Sequence, residues 1–224
     1  MRHFQAHFPH QSGVIDRNAW WMTWNTVLAW LPVGLALGLF RRRDHDQPRS
    51  PLWWVGLGVF VLFLPNAPYV VTDLIHLGDD VRRVPGNWPV ITAVLPVYAV
   101  FIASGFLAYY LALRELGRYL DRVGYRAWWG LSLIGAHAVC AVGVFLGRYH
   151  VTRLNSWEPV VQPRGSLERI IVGLSWRGAP VFILCTFLVT WAGYFVTKAV
   201  VEAAWTAVQR AVRQYSPLVG QVGR

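Results

Sequence analysis

A chain of 224 residues that is 55% hydrophobic and only 14% charged carries too little charge for a soluble domain, where about a quarter of residues are charged. Its net charge of +10 does not point to nucleic acid, because the Lys and Arg residues sit in short stretches between long apolar runs, the pattern of helix flanks at a membrane. The composition predicts an all-α polytopic transmembrane helical bundle of about five spans, one of them discontinuous, with the lipid bilayer as its main partner. Cys140 and Cys185 both lie in apolar runs and read as small buried residues, which leaves no disulfide framework and no zinc spacing.

Three regions follow: a polar N-terminal segment (1–18), a transmembrane domain (19–201) and a basic amphipathic tail (202–224). Met1–Asn18 is too polar for a cleavable signal peptide, so the first apolar segment directs insertion. That segment, Ala19–Phe40, opens with Trp20, Trp21 and Trp24, as interfacial aromatics do, and stops at Arg41. Asn25 and Thr26 inside it read as helix–helix hydrogen bonds. The second apolar run, Leu52–Leu64, supplies only about 20 Å of helix against a hydrocarbon core of about 30 Å. It crosses only if Pro65–Leu77 continues it, hence a discontinuous span broken at Pro-Asn-Ala-Pro.

If a helix restarts at Ala67, Asn66 is its N-cap and Pro68 falls in the tolerated first turn. Tyr69, Thr72, Asp73 and His76 then share one face, at i, i+3, i+4 and i+7. Gly78–Gly86 reads as a polar loop. The third span, Trp88–Leu113, contains Pro96, which should kink it. Arg114–Arg126 reads as a short basic loop, and the fourth span is Ala127–Leu146 with His137 near its centre. The long connection Gly147–Gly178 begins with Arg148, Arg153, Asn155, Ser156, Trp157 and Glu158. Later, Leu167, Ile170, Ile171 and Leu174 oppose Glu168, Arg169 and Arg177, which predicts a short interfacial amphipathic helix. The fifth span is Pro180–Val201, and its tail extends the helix onto the anionic inner leaflet.

Twelve of the 21 Lys and Arg residues fall on the face that holds the first interhelix loop, the Arg114–Arg126 stretch and the C-terminal tail. The positive-inside rule then favours an external N-terminus and a cytoplasmic C-terminus in a multi-pass protein of the cell (plasma) membrane. Whatever the orientation, the ends of spans two and four emerge on the same side. Asn66, Tyr69, Thr72, Asp73 and His76 are therefore expected to meet Arg148, Arg153, Asn155, Trp157 and Glu158 in one polar site.

The motifs Pro-Asn-Ala-Pro-Tyr-x-x-Thr-Asp-Leu-Ile-His-Leu at 65–77 and Gly-Arg-x-x-x-x-Arg-x-Asn-Ser-Trp-Glu at 147–158 resemble an uncharacterised family of bacterial multi-pass membrane proteins, a domain of unknown function. The resemblance covers roughly Leu52–Val200. Members of that family usually carry Asp where Glu158 stands. It implies fold and membrane location and supplies no activity.

Three readings of the site follow from its residues. It is a scaffold, with Arg148 or Arg153 paired to Asp73 and His76 bonded to Asn155 or Glu158, because a buried carboxylate needs a partner. It binds a lipid headgroup or small anion, drawn by the freed amides of the restarted helix and the two arginines. Or it is an enzyme acting on a lipid-linked substrate. There Asp73 and His76 serve as an acid–base pair, Thr72 as a nucleophile, or Asp73 and His76 ligate a metal with Glu158 or His150. There is no Gly-x-Ser-x-Gly, His-Glu-x-x-His or glycine phosphate loop. No cofactor and no resident metal is expected, and the sequence leaves both a protein partner and a role as a complex subunit open.

Overall fold

In a computed structural model of the chain, residues 9–41, 49–148 and 153–219 are described, with side chains over 18–41, 49–148 and 153–213. They are helical almost throughout, and no strand occurs among them. The helices are α1 (Pro9–Phe40), α2 (Pro51–Phe63), α3 (Asn66–Tyr69), α4 (Leu74–Arg83), α5 (Asn87–Pro89), α6 (Leu95–Arg122), α7 (Trp129–Arg148), α8 (Glu158–Val161), α9 (Pro163–Leu174) and α10 (Ala179–Val219). Among the described residues, five stretches are long and apolar enough to cross a membrane: Asn18–Phe40, Pro51–Arg83, Asn87–Arg122, Arg126–Arg148 and Ala179–Arg213. The chain is an all-α polytopic bundle.

α6 is the central helix, because its buried face is made of side chains that let neighbours approach. Ala108, Tyr109, Ala112 and Leu113 are fully buried. They meet Ala29, Ala36 and Phe40 of α1 in one apolar cluster. Small residues at such contacts bring helices close, which is how packing gains contact where lipid tails are as apolar as Leu. Outward-facing Trp20, Leu52, Val100, Leu131 and Val181 are exposed. So extensive an apolar exterior marks a surface built for lipid rather than water.

Several boundaries differ from the sequence expectation. Gly78–Arg83 is helical within α4, and Asp80 is buried. It accepts hydrogen bonds from Asn18 Nδ2 and from the Tyr98 hydroxyl, the latter at 2.8 Å. Its charge density suggests a loop, yet charge reports polar surroundings and not turn geometry. Likewise α6 runs on through Arg114 to Arg122, and the Arg122 guanidinium donates to the Phe40 carbonyl at the end of α1. Leu113, Leu116, Leu120 and Val123 keep the helical apolar spacing across this charged region.

Pro96 acts on the turn before it. Val90–Val94 is a π-turn, and the Leu95 N–H bonds the Val90 carbonyl, five residues back. A proline ring crowds the carbonyl four residues earlier, and a widened turn relieves that clash. Cys140 is buried, but Cys185 is exposed on the outside of α10, contrary to the reading of both as buried. His137 is buried, with Nδ1 at 2.9 Å from the Tyr109 hydroxyl of α6. α9 is the amphipathic helix of the long connection. Its Ile170 packs against Phe145, Leu146 and Ala179, while Leu167, Ile171 and Leu174 stay exposed.

Candidate functional site

The second span is interrupted where Pro65 and Pro68 remove two backbone donors. α2 ends at Phe63, α3 occupies one turn, Val70–Asp73 tightens into a 3₁₀ turn, and α4 resumes at Leu74. The dihedrals stay right-handed throughout, so the interruption is one of hydrogen bonding more than of direction. Backbone freed at such depth must find partners inside the protein. Asn66 Nδ2 donates to the Phe63 carbonyl at 3.0 Å, the Thr72 hydroxyl to the Tyr69 carbonyl at 2.7 Å, and Arg148 Nη2 to the Thr72 carbonyl at 2.7 Å. Asn66 is thus the first residue of α3 and not its N-cap. Its amide reaches back to α2, and its Oδ1 accepts from the Ser156 hydroxyl at 3.1 Å.

The break packs tightly against α6 and α7, and two glycines permit this. A Cβ on Gly105 would collide with Val70 and with the Ala67 carbonyl oxygen, and one on Gly143 would stand 2.7 Å from Pro65 Cβ. Asp73, at the end of the broken stretch, is almost wholly buried. Its Oδ1 accepts from Arg148 Nη1 at 3.2 Å and its Oδ2 from Asn25 Nδ2 of α1 at 3.1 Å. Arg148 Nη1 also reaches the Tyr69 hydroxyl at 3.2 Å, and the guanidinium lies over the Tyr69 ring, 5.5 Å from its centre. One planar guanidinium therefore ties together a carboxylate, a phenol and a freed carbonyl, which the point charge of a lysine does not match.

Of the two arginines, Arg148 makes the pair with Asp73 and Arg153 does not. Arg153 is exposed, its carbonyl accepts from Arg169 Nη1 at 3.3 Å, and its guanidinium has no ion pair among the described residues. Glu158 is held elsewhere, by the Asn155 backbone N–H and side-chain amide, both at 3.1 Å, and by Arg169 at 3.0 Å. Partial burial pushes its carboxyl up, but the Asn155 hydrogen bonds and the Arg169 guanidinium outweigh this and hold it below its ordinary 4.5. His76 is exposed and packs on the Trp21 ring, centres 5.2 Å apart. Its expected bond to Asn155 or Glu158 is not formed, because those two residues satisfy one another. His150 lies outside the described residues. Among those described, no three His, Cys, Asp or Glu side chains are grouped to hold a metal ion.

Two partners escaped the sequence reading of the site. Asn25 was visible as a polar residue inside span one, and it does bond another helix, whereas Thr26 bonds its own backbone at the Met22 carbonyl. Arg169 was placed on the polar face of α9. Nothing in the sequence tied it to Glu158.

Beside the Asp73–Arg148 pair lies a cavity of about 170 Å³. Asn66, Tyr69, Arg153, Asn155, Ser156 and Trp157 line it, together with Trp24 and Asn25 of α1. Among the described residues, no carboxylate is on its wall. Trp24 and Trp157 are more than half exposed at its edge. No curated protein and no solved structure matches the chain. Residues 24–192, which contain every element of this site, match the family model described as Protein of unknown function (DUF1361), and the chain belongs to that family.

Proposed function

We propose that this is a multi-pass protein of the plasma membrane whose broken second span builds a binding site for a phosphate-type anion, a lipid headgroup or a small soluble one. The observation that carries the reading is the cavity beside Asp73: among the described residues its wall holds one arginine without an ion-pair partner and no acid. A cation with no ion pair among the described residues, beside amide and indole N–H groups, favours an oxyanion. The Asp73–Arg148 pair serves as the anchor that fixes the cavity wall, since each of its charges is already compensated. Lys and Arg placement orients the N-terminus and this site outside and the C-terminus in the cytoplasm.

The acid–base reading has less support. The Thr72 hydroxyl is bonded to the Tyr69 carbonyl, Asp73 is held by Asn25 and Arg148, and His76 packs at a tilt against Trp21. The test is binding of inorganic phosphate and of phosphatidic acid to the purified full-length protein in neutral detergent, comparing native chain with Arg153→Gln. A loss of at least tenfold in affinity for one or both ligands is expected. Binding of neither, or binding indifferent to Arg153, overturns the proposal.

A further inference from the structure

The polar cavity adjoins a second, larger one. A groove of about 390 Å³ lies between α2 and α7 and shares Pro65, Gly143, Leu154, Asn155 and Ser156 with it. Beyond these shared residues the character changes. Val61 and Leu62 form one wall and Ala138, Val139, Val142 and Leu146 the other. From Ala138 to Leu146 the groove follows α7 for about 12 Å along the helix axis. Val61 and Val139 remain exposed along it, so it opens sideways, toward the surroundings of the apolar spans. At the junction of groove and cavity the chain is held in place: Ser156 bonds Asn66, and the Leu154 N–H bonds the Leu146 carbonyl at 3.0 Å.

The polar cavity offers a cation and N–H donors, and beyond the shared residues the adjoining groove offers only hydrocarbon. A soluble anion uses the cavity alone. A molecule with a charged head and an apolar chain uses both, and leaves neither a charge in the apolar groove nor a chain in the polar cavity. We infer that the two volumes are halves of one site for a phosphate-headed lipid, with its head beside Arg153 and one acyl or prenyl chain along the α2–α7 groove. The inference rests on the anion-binding reading above and narrows it to a lipid taken laterally from the bilayer.

The experiment titrates the full-length protein in neutral detergent with dioleoyl phosphatidic acid, with glycerol 3-phosphate and with dioleoylglycerol, read by native mass spectrometry. Phosphatidic acid should bind at least tenfold more tightly than glycerol 3-phosphate, and dioleoylglycerol more weakly than phosphatidic acid. Ala138→Phe fills the groove from an exposed position and should weaken phosphatidic acid at least fivefold while leaving glycerol 3-phosphate unchanged. Val61→Phe on the facing wall is the second variant, and Leu131→Phe, exposed on the same helix outside the groove, should change nothing. Equal binding of lipid and glycerol 3-phosphate, or lipid binding indifferent to both groove variants, overturns the lipid site and leaves the Arg153 anion site standing. Binding of lipid and phosphate alike that ignores Arg153→Gln overturns both.

Discussion

Two arginine–carboxylate pairs stand on the same face of the bundle, and their lengths are nearly equal: 3.2 Å for Asp73–Arg148 and 3.0 Å for Glu158–Arg169. Their surroundings are not. The side chains of the first pair are 3% and 21% exposed, those of the second 16% and 32%. Asp73 and Arg148 are 75 residues apart and join span two to span four, whereas Glu158 and Arg169 are 11 apart and join two short helices of one connection. Distance therefore says little about what each pair contributes. Removing Arg148 leaves the Asp73 carboxylate where water scarcely reaches, and removing one partner of the second pair lets water take its place.

The sharpest way to break the comparison is Asp73→Ala. It strands the Arg148 guanidinium and the Asn25 amide, and should cost about 3–5 kcal/mol, the range for breaking a buried pair. Thermal unfolding in detergent measures it. Adding Arg148→Ala should recover part of the loss, since the stranded charge is gone, and a double variant no better than the sum of the singles would contradict this account. Arg148→Lys keeps the charge and loses the fork that also bonds Tyr69 and the Thr72 carbonyl. It should cost about 1.5–3 kcal/mol, the worth of hydrogen bonds to a charged group. Gly143→Ala leaves both pairs chemically intact but pushes Pro65 off α7. The cost should be about 1–3 kcal/mol by overpacking, and the same scan detects it. A Gly143→Ala protein as stable as the native chain would show that the break tolerates displacement.

The comparison also explains what was legible in the sequence. The apolar runs, the interruption at Pro65 and Pro68, and the same-side emergence of 65–77 and 147–158 follow from helix length and the parity of crossings. Helix ends were less legible, because Asp79–Arg83 and Arg114–Arg122 carry the charge of loops on the spacing of helices. Within the site, spacing alone could not choose between Arg148 and Arg153. The choice falls to Arg148 because it is the last residue of α7, rigidly placed against the break, while Arg153 follows on the connection. Asn25 was readable as a residue that needs a partner but not as a ligand of Asp73, since that contact depends on the rotation of α1 about its axis.

The smallest expected effect belongs to the second pair. Glu158→Gln retains the shape and part of the hydrogen bonding to Asn155 but loses the charge facing Arg169, and should cost about 0–1 kcal/mol, as partly exposed pairs do. The pH dependence has a definite sign. The folded Glu158 carboxyl lies below its ordinary 4.5, so the unfolded or undocked connection binds the proton more tightly. The contribution is complete above 4.5 and is lost as the pH falls through the depressed value. Hydrogen exchange across 153–162 should therefore be level from pH 7 to pH 5 after correction for intrinsic rates, and should rise below that value in the native chain. In Glu158→Gln the acid-dependent rise should disappear. If it persists, another group holds the connection down and Glu158 is only its neighbour.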